Sequence, residues 1–409
     1  MGHIQHRIAL GSAVVLCITA FLLVTGYESR SATAGAPYHR DSVNSLSLTR
    51  SQCADRFPHL WDEIDLAASH GLIGKSPKLG NEAGLLRARI HDGAVRNNIE
   101  LTFFLVTKLF LTQTQLYILD RGSDVWHRQF AILSQIHRAI MTAPSPAEIP
   151  NIEFVFSVND HPASRTWSLA RSDDPNEVSD TWLMPDYGFW SWPEPHIGTL
   201  DEAREKVDKV EDKLKSWSEK IDKAVWRGTV HWNQGLRGGL LEVSRGKPWS
   251  DMQELRWGEN DLTMEGFCQY KYLIYTEGVT YSGRLRYFQL CRSVIISTPT
   301  RWQTHLSPLM ASSGPNQNVV LVNEDWSDLE ATISRLQDNP LEAERIANNT
   351  IGTFKERYAA GGAQTCYWRE LFRSWAGVTD HVGDIAIGER GTRWESVMLM
   401  GSLTWDKTA

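Results

Sequence analysis

An α/β protein built from two units is predicted by three features of the 409-residue sequence. Short apolar runs at residues 224–226, 272–275, 294–296 and 318–322 read as buried strands. Helical patterns separate several of them or follow the last, at 326–337 and 341–358, and such alternation marks a parallel sheet. An earlier strand–helix–strand run gives a second, βαβ-like unit, so the division falls near residue 195. No internal repeat is visible.

In chain order, residues 8–25 (IALGSAVVLCITAFLLVT) carry no charge and are long enough to span a bilayer. His3, His6 and Arg7 precede this stretch, which predicts a cytoplasmic N-terminus and a luminal body. A cleaved signal peptide, with "SATAGA" at 31–36 as its site, is the rival reading. Either way the body enters the secretory pathway. Residues 26–50 read as a polar stem, and 51–90 as irregular helix. Strands are expected at 99–106 and 115–119. "FAILSQIHRAIM" at 130–141 is an amphipathic helix ended by "TAPSPAEIP", and "IEFVFSVND" is a buried strand. Residues 201–223 alternate in charge sign and read as one long solvated helix.

The net charge of −7 excludes a general nucleic-acid binder, so a polyanionic ligand must be met by local arginines. Beyond Cys17 in the apolar stretch, Cys53, Cys268, Cys291 and Cys366 are an even set. In an oxidising compartment they predict two disulfides, with three connectivities open. No Cys/His spacing suggests zinc. Asn348-Asn349-Thr350 is one glycosylation sequon.

Asp160 ends the strand in "FVFSVNDHP", where open α/β sheets place their ligands, and suits a general base; a turn cap is the bland alternative. In "VWRGT", Arg227 stands at a strand end beside Gly228 and Thr229, a combination fit for phosphate. "GVTYSGRLRYFQLC" reads as a strand end, a small-residue turn and a helix, with Arg284 at the junction where free N–H groups collect anions. Two such arginines offset a diphosphate without a metal. No Asp-x-Asp triplet and no phosphate-cradling Gly-rich Lys-Ser/Thr loop occurs. "PDYGFWSWPEP" at 185–195 reads either as an acceptor-lining loop presenting Tyr187, Phe189, Trp190 and Trp192, or as a plug between the units.

"FVFSVNDHP", "VWRGT", "CQYKYLIYTEGVTYSGRLRYFQLCRSVII" and "TCYWRELF" together resemble the family 90 glycosyltransferases, the group of fungal capsule-associated proteins and animal protein O-glucosyltransferases. The resemblance covers residues 150–375. It implies a GT-B-like pair of facing Rossmann-like domains, a UDP-sugar donor (UDP-xylose or UDP-glucose) and an inverting reaction without metal or other cofactor. The acceptor would be a glycan or glycoprotein. Asp160 takes the position of the catalytic base. Arg227, Gly228, Thr229, Val279, Thr280, Tyr281, Ser282, Gly283 and Arg284 take donor-side positions, with Asp325 assigned to the same group. Cys268 and Cys291 match the family's spacing, which leaves Cys53 with Cys366. Asn159, Tyr281 and Gly283 depart from the usual pattern, which has arginine, a small residue and an aromatic there.

The expected organisation is a tail at 1–7, an anchor at 8–25, a stem at 26–50, an acceptor-side domain at 51–195 and a nucleotide-sugar domain at 196–365. Residues 366–409 are expected to pack back on the first domain. With an N-terminal anchor and the ending "DKTA" in place of an endoplasmic-reticulum retention signal, the Golgi membrane is the expected location, with the endoplasmic reticulum or secretion as alternatives. The competing function is a catalytically inactive carbohydrate-binding protein of the same fold.

Overall fold

The computed structural model describes residues 43–74, 84–91, 114–121, 126–174, 180–192, 197–214, 216–383, 385, 389 and 391–400. The expected anchor at 8–25 and the strand expected at 99–106 lie outside these residues. Among the described residues no helix is long and apolar enough to cross a membrane.

The N-terminal half begins with α1 (Arg50–Arg56) and α2 (Asp62–Ser69). β1 (Leu85–His91) then corrects the helical reading of 51–90. Its Leu86, Ala88 and Ile90 are fully buried, while Arg87 and Arg89 on the opposite face both pair with Glu153. That period of two belongs to a strand. β2 (Gln115–Arg121), α3 (Trp126–Met141) and β3 (Ile152–Ser157) follow as expected. The short strands β4 (Trp167–Ser168), β5 (Arg171–Ser172), β6 (Trp182–Leu183), β7 (Ser191–Trp192) and β8 (Gly198–Thr199) complete this half.

α4 (Leu200–Glu211) opens the C-terminal half. It buries Leu200, Ala203 and Val207 at helical spacing. The helix expected to run to 223 stops at Glu211. Beyond it Trp217 is buried and Lys220 pairs, also buried, with Glu211 at 2.7 Å. There follow β9 (Ile221–Gly228), α5 (Gln234–Ser244), β10 (Ser250–Glu254), α6 (Met264–Phe267), β11 (Tyr270–Tyr275), α7 (Leu285–Phe288) and β12 (Val294–Ser297). Next come β13 (Trp302–Gln303), β14 (Val320–Leu321), α8 (Leu329–Asp338) and α9 (Pro340–Thr350), which continues as a π-helical turn over Ile351–Tyr358. α10 (Gly361–Val378), β15 (Thr392–Arg393) and α11 (Trp394–Met400) end the described chain.

The C-terminal sheet has the order β10-β9-β11-β12-β14 and is parallel throughout. Its central strands are buried on both faces, the condition that makes parallel strands read as continuous apolar runs. Val225, Leu273 and Ile295 face a core shared with the N-terminal half. Trp226, Tyr272, Ile274 and Ile296 face a second core closed by α8 and α9.

The N-terminal sheet, β15-β2-β1-β3-β4-β6, is mixed where a Rossmann-like parallel sheet was expected. β1 runs antiparallel to both β2 and β3. Hence β2 and β3 are parallel to each other, and α3 forms the βαβ-like crossover with β1 inserted between its strands.

Two disulfides match the pairing implied by the family resemblance. Cys268–Cys291 closes the β11–turn–α7 unit, a loop length for which chain entropy predicts about 3 kcal/mol. Cys53–Cys366 ties α1 to α10. α10 is buried along most of its length, with Trp375 edge-on to both Trp167 and Trp182 of the N-terminal sheet.

Candidate active site

Asp160 stands beyond the end of β3, its side chain half exposed. Arg128, in the first turn of α3, donates to Asp160 Oδ1 and to the Val158 carbonyl, both at 3.1 Å. Its guanidinium lies 4.9 Å over the Tyr187 ring. From the C-terminal half, Thr280 Oγ1 donates to the Asp160 carbonyl at 2.9 Å. The turn that follows β11 therefore touches the carboxylate-bearing loop directly.

Within that turn the Gly278 N–H donates to the Thr280 carbonyl at 2.8 Å, and the Ser282 N–H donates to Tyr275 Oη at 2.9 Å. The Ser282 N–H expected to meet an anion is thus already engaged. α7 is a single turn with Arg284 at its N-cap position, so the charge at this junction comes from the side chain rather than from a helix. A Cβ on Gly283 would lie 2.8 Å from Trp192 Cζ3 and 2.9 Å from Arg286 Nη2, which is why this turn carries no aromatic there. Tyr281 is packed against the core instead, and Val279 is exposed.

Arg284 donates to the Arg227 carbonyl and lies 5.3 Å over Phe267. Arg237, from α5, donates Nε to the Glu277 carbonyl at 3.0 Å and Nη1 to the Thr229 carbonyl at 2.7 Å. Its Nη2 is 3.1 Å from where Gly278 would carry a Cβ. Among the described residues neither arginine has a carboxylate in ion-pair reach. Burial, reinforced by the charge of Arg237, pulls Arg284 down to about 10. Burial lowers Arg237 as well. Two desolvated like charges are costly side by side, and a bound anion offsets them.

Arg227 is differently employed. It is 5% exposed, pairs with Asp251 Oδ1 at 2.8 Å and donates to the carbonyls of Asn260, Trp226 and Asp251. Its guanidinium anchors β9 to β10, and its carbonyl is what meets Arg284. Gly228 lies against the Trp226 ring, with no room for a Cβ. Asp325, beyond the edge strand β14, caps a turn by accepting the Ser327 N–H at 3.0 Å.

The aromatic loop is mainly a plug. Tyr187 and Phe189 are 4% and 6% exposed. With Trp192 and Tyr287 they surround Arg286, which pairs with Asp186 in the buried interior. Trp190 and Trp192 are only half buried. Trp192, Leu255, Trp257, Leu262 and Asp261 line a cavity of about 260 Å3 floored by Ser282 and Arg284.

Glu277, between β11 and the turn, accepts the backbone N–H groups of Arg301 (3.2 Å) and Trp302 (2.9 Å). Burial nevertheless pushes its carboxyl from 4.5 up to about 7. The folded state thus holds this proton more tightly than the unfolded chain. The resulting stability is present below about pH 4.5 and is lost as pH rises through about 7. Glu277→Gln is expected to flatten the fall in melting temperature across that window. An unchanged slope would remove Glu277 as its source.

An open parallel sheet with two arginines meeting at the turn after β11, neither in ion-pair reach of a carboxylate among the described residues, and with Asp160 on a loop against the same turn, fits a transferase acting on an anionic donor. Residues 93–382 match the model of glycosyl transferase family 90, and the chain belongs to that family. It is 25% identical over 261 residues to an O-glucosyltransferase rumi homolog from Aedes aegypti, covering 56% of this chain and 62% of that protein. It is 25% identical over 268 residues to O-glucosyltransferase rumi of Drosophila melanogaster, covering 56% and 61%. With protein O-glucosyltransferase 1 of Mus musculus it shares 22% over 393 residues, 87% of this chain and 90% of that one. The chain thus spans less than two thirds of the length of the first two relatives.

Proposed function

We propose that this chain moves glucose or xylose from a UDP-sugar to a hydroxyl of a glycan or glycoprotein, with inversion and without a metal. The contact of the Arg284-bearing turn with the Asp160 loop, through Thr280, carries this reading. Asp160 takes the proton from the acceptor hydroxyl, and the resulting oxygen attacks the anomeric carbon opposite the diphosphate. The bond from that carbon to the phosphate oxygen breaks, and UDP leaves with the electron pair. Arg237 and Arg284 stabilise the charge that gathers on the diphosphate, the work a metal does elsewhere. The cavity walled by Leu255, Trp257 and Leu262 supports a uridine subsite beside Arg284. The relatives named O-glucosyltransferases favour glucose, while the resemblance to a family that includes fungal capsule-associated proteins keeps xylose as the second donor sugar. Two disulfides suit a lumenal setting, with the Golgi first and the endoplasmic reticulum second.

The test is UDP release by the full chain from UDP-glucose, UDP-xylose and control nucleotide sugars, with and without chelator. Acceptor-dependent release that survives chelation is expected. Tight sugar binding with no turnover of any donor would instead make the protein a carbohydrate-binding member of the fold.

A further inference from the structure

Trp190 and Trp192, just before and within β7, border two cavities. Trp192 lines the one beside Arg284, while Trp190 lines another of about 440 Å3, which includes Asn44, Arg138, Asp201, Arg204 and Gln364 in its wall. That volume is within the usual range of ligand pockets.

The charges around this cavity are unmatched. The Arg138 guanidinium stacks 4.9 Å from the centre of the Trp190 ring. Its Nε is buried with no hydrogen-bond partner, and among the described residues it forms no ion pair. Arg204 donates to the Lys355 and Ala359 carbonyls and likewise has no carboxylate contact there. Asp201 is the carboxylate in the wall, exposed at the start of α4. It raises the Arg138 pKa less than burial lowers it. A partly buried arginine that has spent none of its donors on protein is costly, and its planar fork fits a carboxylate with two parallel hydrogen bonds.

We propose that this cavity is a subsite for a saccharide bearing a carboxylate. The Arg138 fork takes the carboxylate, Asp201 and Asn44 meet ring hydroxyls, and the Trp190 edge packs on the sugar. The subsite holds an acidic unit of the acceptor away from the hydroxyl that reacts. The choice of a sugar rests on the transferase reading of the neighbouring site, whereas the anion rests on Arg138 alone.

Binding is measured by calorimetry on the purified full chain, with no donor present. The probes are methyl glucuronide, methyl glucoside and inorganic phosphate. Methyl glucuronide is expected to bind, with methyl glucoside at least about tenfold weaker. Arg138→Gln should weaken methyl glucuronide by a similar factor, Arg138→Lys by less, and Asp160→Asn not at all. Melting temperatures confirm that the variants fold. Absence of methyl glucuronide binding, or equal binding by Arg138→Gln, overturns the proposal. Phosphate that binds as tightly and competes makes the cavity a bare-anion site and overturns the sugar. Loss of binding in Asp160→Asn would put the ligand in the transfer site instead. A chain that binds methyl glucuronide through Arg138 but turns over no donor would sink the transferase reading and leave the anion site standing.

Discussion

Asp160→Asn is expected to lower acceptor-dependent turnover by about 10²–10⁴-fold, the span of a lost general base. Asparagine keeps the shape and still accepts the Arg128 hydrogen bond at Oδ1, but it cannot take a proton. The side chain is half exposed and its structural contacts are few, so the melting temperature should stay near that of the wild type. The KM for donor should also hold, because the carboxylate meets the acceptor rather than the nucleotide. A variant that keeps turnover within a few-fold of the wild type would leave Asp160 as a turn residue tied to Arg128.

Arg284→Ala should cost about 2.7–4 kcal/mol in the transition state, or roughly two to three orders of magnitude in donor turnover. The bland alternative, in which Arg284 only pairs with Glu277, is not the observed arrangement: the Glu277 carboxylate bonds to the N–H groups of Arg301 and Trp302. In the free protein Arg284 sits beside Arg237 with no carboxylate, so its removal relieves a repulsion while losing one hydrogen bond. The fold should therefore tolerate it. Arg237→Ala is expected to behave similarly. Arg227→Ala should not: it leaves Asp251 without its cation and should lower the melting temperature instead. If Arg284→Ala melted early but turned donor over normally in its folded fraction, the diphosphate assignment would fall.

These residues differ in how far the sequence reveals them. Burial on both faces makes the centres of β9, β11 and β12 continuously apolar, at 224–226, 272–275 and 294–296, so these runs stand out although β9 begins with exposed Ile221, Asp222 and Lys223. β10, "SDMQE", lies at the sheet edge with polar, part-exposed side chains, and nothing in its composition marks it. β1 hides because Glu153, far along the chain, neutralises its two arginines. Asp160 and Arg284 stand at strand ends, where position alone suggests a role. Arg128 precedes the helix expected at 130–141 and Arg237 lies in a stretch with no expected element, and the structure puts both on helices. Their roles come from tertiary neighbours, the turn after β11 for one and the loop after β3 for the other. The Gly and Pro spacing of the aromatic loop leaves display and plug both open, and the buried pair of Asp186 with Arg286, which holds Tyr187 and Phe189 inward, favours the plug.

The Cys53–Cys366 bond makes a covalent ring of the chain between those residues, and the ring contains the whole C-terminal sheet, the N-terminal sheet apart from β15, and Asp160, Arg237 and Arg284. One peptide cleavage within it cannot release a fragment. A protease cutting once in an exposed loop, such as the one holding Trp257 at 73% exposure, would leave a nicked molecule of unchanged mass on a non-reducing gel. The two pieces would separate only on reduction. An enzyme working among lumenal or extracellular proteases would so keep its donor arginines and its carboxylate on one molecule after a single cut.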